Sequence, residues 1–279
     1  HTDKRIYTRL FDYEQMHQAM DMMEIVTGEK LEKGGKHWFA PGSCPSLSPM
    51  AYSREVADSI VALAERGQIV TLGSATTTGV TGPIQIFATI VMQNAEQLAG
   101  MVLTQLINPG NPVGYGVAAC PANMRGAKYC CGSPGRVGLQ IGSIEMGKQF
   151  YHMPVRTEPY TTESSLPDIQ CGIEAYEGTM CNILSGGDYH LGEIGTLDSL
   201  MTTSYEKTII DEEITSRLLY IKEGIDVSEE AAAVETICDV GSGGNFLCEE
   251  DTIDLMHDAW YPKYTDWNRD IEAIGDDYT

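Results

Sequence analysis

Positive charge is scarce in this 279-residue sequence: 18 Lys and Arg stand against 40 Asp and Glu, a formal net charge of −22. A surface so acidic repels phosphates and excludes nucleic acid as a partner. Cationic small molecules suit it, although solubility alone also accounts for the charge. Long apolar runs are missing too. None approaches the roughly 20 residues of a membrane helix and no secretory pattern opens the chain, so no membrane partner is expected. The eight cysteines, Cys44, Cys120, Cys130, Cys131, Cys171, Cys181, Cys238 and Cys248, contain no C-x-x-C pair. The usual structural zinc spacing is therefore absent. A chain long enough to bury its own core does not need a disulfide framework, and buried, reduced thiols in a cytoplasmic protein are the expectation. There is no G-x-G-x-x-G opening a helix after a strand, no Walker sequence, no H-E-x-x-H and no G-x-S-x-G. Gly241-Ser242-Gly243-Gly244 follows a helical stretch and reads as its end, not as a phosphate loop.

What is present is a repeated unit: short strand, loop, long helix. With 42% hydrophobic residues, the chain can bury one substantial core. Strands are expected at Arg5–Leu10, His37–Ala40, Gln68–Gly73, Val113–Val117, Pro154–Glu158 and Tyr189–Ile194, each followed by a helical stretch. Pro41-Gly42-Ser43-Cys44-Pro45 reads as a loop. Ser53 is the expected N-cap of a helix to Arg66, with Val56, Ile60, Leu63 and Ala64 on its buried face. Helices are also expected over 13–26, 83–106, 133–151, 167–184, 204–223 and 228–240. Alternating strands and helices predict a parallel sheet covered by helices. The fold class is thus α/β, a (β/α) barrel represented by about six units, whereas a full TIM (β/α)8 barrel needs eight. The expected organisation is a barrel portion over 1–226 and, over 227–279, a C-terminal helix with an acidic, aromatic tail packing on it.

In parallel α/β folds, ligands meet the carboxyl ends of the strands. That rule selects Tyr115 after the fourth strand, Glu158, Tyr160 and Thr161 after the fifth, and His190 and Glu193 in the sixth. Tyr115 reads either as barrel filling or as a ligand contact, Tyr160 either as a rim aromatic or as a ligand contact, and His190 either as a hydrogen-bonded structural residue or as a donor. Glu193 is different in kind. A carboxylate among apolar strand residues must be paired or face a polar cavity, because burying it alone is costly.

Several stretches, in order, carry a more specific likeness. They are Thr81-Gly82-Pro83-Ile84, Gln93–Leu106, Pro109–Gly116, Met124-Arg125-Gly126, Gly132-Ser133-Pro134 and Phe150–Pro154. Further along come Leu166–Glu174, Gly195–Ser199, Ser204–Lys207, Ile210-Asp211 and Gly241–Leu247. Together they resemble the trimethylamine methyltransferase family, which includes glycine betaine methyltransferases, from about residue 4 to 247. The resemblance implies a TIM barrel that transfers a methyl group from an amine to the cobalt of a cognate corrinoid (cobalamin) protein, with no cofactor held tightly by this chain. Family members are longer at the N-terminus, so the six units correspond to strands three to eight, in keeping with a first residue that is His1. The open side of such a barrel must be covered, and a homo-oligomer is expected.

Two departures bear on the substrate. Trimethylamine enzymes carry pyrrolysine six residues before a Pro-Asp-x-Gln motif, and counting back from Pro167 reaches Thr161. The chain therefore resembles the pyrrolysine-lacking branch, which implies a quaternary amine such as a betaine. In the last strand, relatives place His or Tyr where this chain has Gly192 and Glu193. A quaternary amine already bears a good neutral leaving group, so a Co(I) nucleophile needs only an oriented substrate and a held cation. Tyr115 and Tyr160 are the candidate aromatic faces; Glu193 and Glu158 are the candidate counter-charges. His190, Arg156 or Thr76–Thr78 can receive a substrate carboxylate. The alternative is a non-catalytic barrel that binds a quaternary amine or a protein partner.

Overall fold

The computed structural model describes residues 12–35, 38–39, 43–190, 193–265 and 267. The chain forms two compact units, His1–Asp211 and Glu212–Thr279. In chain order the elements are α1 (Tyr13–Thr27), β1 (Cys44–Ser46), α2 (Arg54–Glu65), β2 (Val70–Ser74), β3 (Thr77–Thr78), α3 (Ile86–Ile107), β4 (Val113–Gly116), β5 (Cys120–Asn123), β6 (Lys128–Tyr129) and α4 (Pro134–Glu145). A π-helical turn, Met146–Phe150, extends α4. Then come β7 (Val155–Thr157), α5 (Ile169–Leu184), β8 (Tyr189–His190), β9 (Thr196–Leu197), β10 (Thr202–Thr203), α6 (Tyr205–Glu223), α7 (Val234–Val240) and α8 (Glu250–Leu255). Helix starts follow local chemistry: Ser53 Oγ accepts from Val56 N at 3.3 Å and Asp168 Oδ1 from Cys171 N at 2.9 Å.

The first unit is built on a five-stranded parallel sheet in the order β1-β2-β4-β7-β8. Each neighbouring pair is joined through a helix, so the strands lie side by side in chain order. Alternation along the strands makes two faces. Val70, Leu72, Tyr115 and Val155 enter one hydrophobic core with Met16, Met20, Ile60, Leu63, Met101 and Ile144 from the helices. The intervening positions, Thr71, Gly73, Gly114, Gly116, Arg156 and Tyr189, form the opposite face. A Cβ on Gly114 would lie 3.1 Å from the Tyr189 hydroxyl and 3.2 Å from Thr71 Oγ1, and one on Gly116 would run into the Leu72 carbonyl oxygen. Glycine there keeps the face open. Thr71 Oγ1 and Tyr189 Oη meet at 2.5 Å across that face, although β2 and β8 are three strand spacings apart, roughly 14 Å in a flat sheet. Only a strongly curled sheet brings those side chains together.

Four of the expected strands form at shorter length, and of Tyr189–Ile194 only Tyr189–His190 is strand among the described residues. Arg5–Leu10 lies outside the described residues, as do His37 and Ala40; Trp38 and Phe39 carry no strand. The strand of that unit is Cys44–Ser46, which overlaps the end of the stretch expected as a loop, in parallel register Cys44↔Leu72 and Ser46↔Ser74. Pro45 hides it in the sequence. A proline has no N–H to donate, but β1 ends the sheet order among the described residues, where none is required on its outer side. The three-stranded sheet β3-β5-β6 and the β9–β10 hairpin were not expected; strands of two to four residues are too short to show a period. The last expected helix starts late, at Val234 instead of Ser228.

Helix α3 is, by length and composition, apolar enough to cross a membrane, contrary to the reading from uninterrupted runs. Its polar side chains tie it to the sheet instead. Glu96, 2% exposed, accepts from Ser48 Oγ at 2.9 Å, Ser74 Oγ at 2.7 Å, Met50 N at 2.8 Å and Ser46 Oγ, and Gln97 Oε1 accepts from Gly116 N at 3.0 Å. In the second unit Glu213 accepts from Lys263 N, Tyr264 N and Thr265 Oγ1, Arg217 stacks 4.5 Å from the Trp260 ring centroid, and Trp260 Nε1 donates to Ser216 Oγ at 2.9 Å. The acidic, aromatic segment is thereby clamped to this unit's own portion of α6.

Removing the Glu96 carboxylate strands the buried Ser46 and Ser74 hydroxyls at the ends of two strands and two donors of a loop. Glu96→Ala is expected to cost about 3 kcal/mol, read as a lower urea midpoint, with Glu96→Gln costing less because an acceptor remains. A midpoint unchanged in Glu96→Ala would remove this tie from the account.

Candidate functional site

Beyond the carboxyl end of β7 lies a buried knot of charge. Arg156 in β7 and Glu158 just after it are 5% and 8% exposed, and Arg136, in the first turn of α4, is 1% exposed. Glu158 bridges the two guanidiniums: Oε2 is 2.8 Å from Arg136 Nη2, and Oε1 pairs with Arg156 Nη2. The Glu158 carbonyl accepts from Gln140 Nε2 at 3.0 Å. Glu193 comes in beside them, its Oε2 3.8 Å from Arg136 Nη2 and with no hydrogen-bond partner among the described residues. Its backbone is held at φ +74°, a left-handed conformation rare for a residue with a Cβ.

Burial drives the electrostatics. It pushes the Glu193 carboxyl well above its ordinary range; the neighbouring Glu158 charge adds to this, while Arg136 and Arg156 oppose it. Arg136 keeps its proton: burial works against the charge, but Cys120, Glu193, Glu158 and Cys131 more than restore it. The two guanidiniums and the two carboxyl groups of this knot are thus already stripped of water.

The loop that follows is fixed from every side. Tyr160 N donates to Thr179 Oγ1 at 3.2 Å, and its carbonyl accepts from Lys207 Nζ at 2.8 Å. Lys207 and Asp211, both fully buried, pair at 2.7 Å one turn apart on α6, and Asp211 also accepts from Gly195 N at 2.8 Å. Thr161 Oγ1 donates to the Cys131 carbonyl at 2.9 Å, which Arg136 Nη1 also reaches at 3.4 Å. Glu174 accepts from Thr162 Oγ1 and Glu163 N at 2.7 and 2.8 Å. Asp198 N and Ser199 N donate to the Ser164 and Thr162 carbonyls at 2.8 and 2.9 Å. Tyr160 itself sits at φ +66°, and Asp198, Ser199 and Leu200 form a short left-handed stretch at φ +51°, +50° and +74°. Such backbone persists only where surrounding contacts over-determine it.

Of the residues expected from the sequence, the structure brings together Glu158, Glu193 and Arg156, with Thr161 joined through the Cys131 carbonyl and Tyr160 next to it. Tyr115 is elsewhere: it lies in the core between sheet and helices, its ring 6.0 Å from that of Tyr151 and its hydroxyl donating to Asn94 Oδ1 at 3.2 Å. His190 also turns to the helix side, with Nδ1 2.5 Å from Thr157 Oγ1. Thr76 joins the Glu96 cluster through Ser48 and Ser74. Arg136, Cys131, Lys207 and Asp211 escaped the sequence reading. One signal was available: Lys207 and Asp211 carry opposite charges four residues apart in a helix, the spacing of facing neighbours. Arg136 offered none, since only the fold carries the start of α4 to the end of β7.

Comparison with known proteins places these residues in context. The family described as Trimethylamine methyltransferase (MTTB) matches residues 1–273. The chain is 38% identical over 220 residues to the proline betaine:corrinoid methyltransferase of Eubacterium limosum, covering 78% of this chain and 45% of that protein. It is 37% identical over 207 residues to the glycine betaine methyltransferase of Desulfitobacterium hafniense, covering 74% and 43%. It is 33% identical over 257 residues to the trimethylamine methyltransferase MttB of Methanosarcina thermophila, covering 88% and 53%. The chain thus spans about half the length of the curated relatives it matches.

The raised Glu193 carboxyl has a consequence for stability. Below its ordinary value of 4.5, folded and unfolded chains are both protonated there and nothing is gained or lost. As pH rises past that value the unfolded chain ionises first, so stability falls until the folded carboxyl ionises too. Glu193→Gln, which stays neutral, is therefore expected to unfold at a higher temperature than the parent at about pH 8, the gap closing towards about pH 4. An equal gap at both would mean that the Glu193 carboxyl titrates alike in the folded and unfolded chains.

Proposed function

The chain belongs to the trimethylamine methyltransferase family, and we propose that the full protein moves a methyl group from a betaine-like quaternary amine to the Co(I) of a cognate corrinoid protein. The observation that carries the reading is the buried Arg136–Glu158–Arg156 bridge with the Glu193 carboxylate beside it, at the strand ends of a family member. A zwitterion such as a betaine has one charge for each kind of group there. Its ammonium suits Glu193, with Tyr160 and Thr161 on the adjoining loop; its carboxylate suits the guanidiniums. Tyr115 and His190, placed behind the sheet, support the site from its far side in this reading.

The chemistry asks little of the chain beyond binding. The leaving group is a neutral amine, so no proton has to be delivered to the departing nitrogen. The chain's task is to strip the cation of water and hold one methyl outward. The corrinoid belongs to the partner and supplies the cobalt nucleophile. The mouth's own donors, guanidiniums and carboxylates, suit a small ion and not a cobalt ligand.

The architecture we assign is part of a TIM barrel. Sequential parallel strands with a helix in every connection, and the Thr71–Tyr189 bond across the inner face, support a sheet curling towards closure. Division into a barrel portion through residue 226 and a C-terminal segment, a location in the cytoplasm and a homo-oligomeric assembly belong to the same proposal.

A bound cation stabilises the ionised form of Glu193, so binding expels a proton. Affinity for glycine betaine, measured by calorimetry on the full-length protein, is expected to rise with pH above the ordinary carboxyl range and to lose that dependence in Glu193→Gln. Turnover is checked separately: the full-length protein, a Co(I) corrinoid protein and a panel of betaines should yield methyl-cobalt with at least one. Binding without methyl-cobalt for any of them would favour a non-catalytic amine-binding barrel.

A further inference from the structure

Two thiols lie against this site without a part in the reaction above. Cys120 begins β5 and Cys131 follows β6; they are 0% and 2% exposed. These strands run antiparallel in the register Ala122↔Tyr129 and Asn123↔Lys128. Cys130 N donates to the Pro121 carbonyl at 3.0 Å, which carries the pairing one residue further. The next step sets Cys120 directly opposite Cys131. The Pro121–Cys130 pair is the hydrogen-bonded one, so the pair beyond it is of the other type, with Cα atoms roughly 4.5 Å apart, inside the span a disulfide needs. Both thiols feel the Arg136 charge. The Cys120 thiol beside it, seconded by Arg136, outweighs burial and holds the Cys131 thiol below its ordinary range.

We propose that Cys120 and Cys131 are a reversible dithiol–disulfide pair, a redox modification site at the edge of the candidate site. The oxidant required is a small peroxide. The Cys131 thiolate attacks one oxygen of hydrogen peroxide, the O–O bond breaks, and a sulfenic acid forms as the departing hydroxide takes up a proton to become water. The Cys120 sulfur then attacks the Cys131 sulfur, the S–O bond breaks, and the hydroxide leaves as water with the Cys120 proton. Two thiols lose two electrons and two protons, and peroxide becomes two waters; a dithiol reductant reverses the change. The site senses the outcome directly. Oxidation takes a thiolate away from Arg136, and it staples the segment whose Cys131 carbonyl holds Thr161. Cys130, half-buried between them in sequence, points to the opposite face by strand alternation and is not a partner.

The test is peptide mapping of the reduced full-length protein after exposure to hydrogen peroxide, digested without reductant. The expected product is a linked pair of peptides holding Cys120 and Cys131, two hydrogens lighter than their sum and abolished by dithiothreitol. Alkylation of those two thiols after denaturation is expected to fall about tenfold, in Cys130→Ser as in the parent. Cys131→Ser should give no linked product. The proposal is overturned by linkage through Cys130, by a sulfinic acid at either position without linkage, or by both thiols staying fully alkylatable. The mapping is made on the parent protein, so its outcome does not depend on any variant folding.

Discussion

The site depends on one buried carboxylate held between two guanidiniums. Glu158 reaches Arg136 on α4 with one oxygen and Arg156 on β7 with the other, joining helix to sheet where the strands end. Desolvating three charged groups is costly, and their mutual attraction repays it only with close geometry. Breaking such a bridge by removing one partner leaves an uncompensated charge indoors, which binds the three groups into one unit. Glu193 answers to burial first and to the bridge second: its carboxyl faces a dry surrounding and the like charge of Glu158, and both raise it.

The loop from Tyr160 to Ser164 is organised by the same logic at a second buried pair. Lys207 and Asp211, fully enclosed, spend their remaining hydrogen-bonding capacity on backbone: Lys207 on the Tyr160 carbonyl and Asp211 on Gly195 N. Tyr160 is bonded to this pair directly, and the left-handed run at Asp198–Leu200 is bonded to the loop itself through the Ser164 and Thr162 carbonyls. Strain on one side and hydrogen bonds on the other hold the backbone of this loop in one position, which is what the proposed site, working by orientation, requires.

Much of this was legible in the chain. The strand–helix rhythm located β2, β4, β7 and β8, because a fully buried strand and an amphipathic helix leave different periods. Ser53 marked its helix start through a side chain that can accept from an open backbone N–H. Glu193 stood out as a carboxylate among apolar residues. Other features were not legible. Cys44–Ser46 carries a proline at its centre, which argues against a strand until its place at the end of the sheet order is known. Tyr115 and His190 stood at the right strand ends, but a single-residue step along a strand decides which face a side chain takes, and both take the helix side.

The sequence by itself determined the class of fold and the family, because these depend on local pattern and on the order of motifs. Tertiary structure alone decided the partners: that Arg136 meets Glu158, that Lys207 and Asp211 anchor Tyr160, and that Cys120 faces Cys131. These pairs are separated by up to 47 residues in the chain. A charge or a thiol carries no mark of its partner, which is set only when the curled sheet brings distant elements into a volume without water.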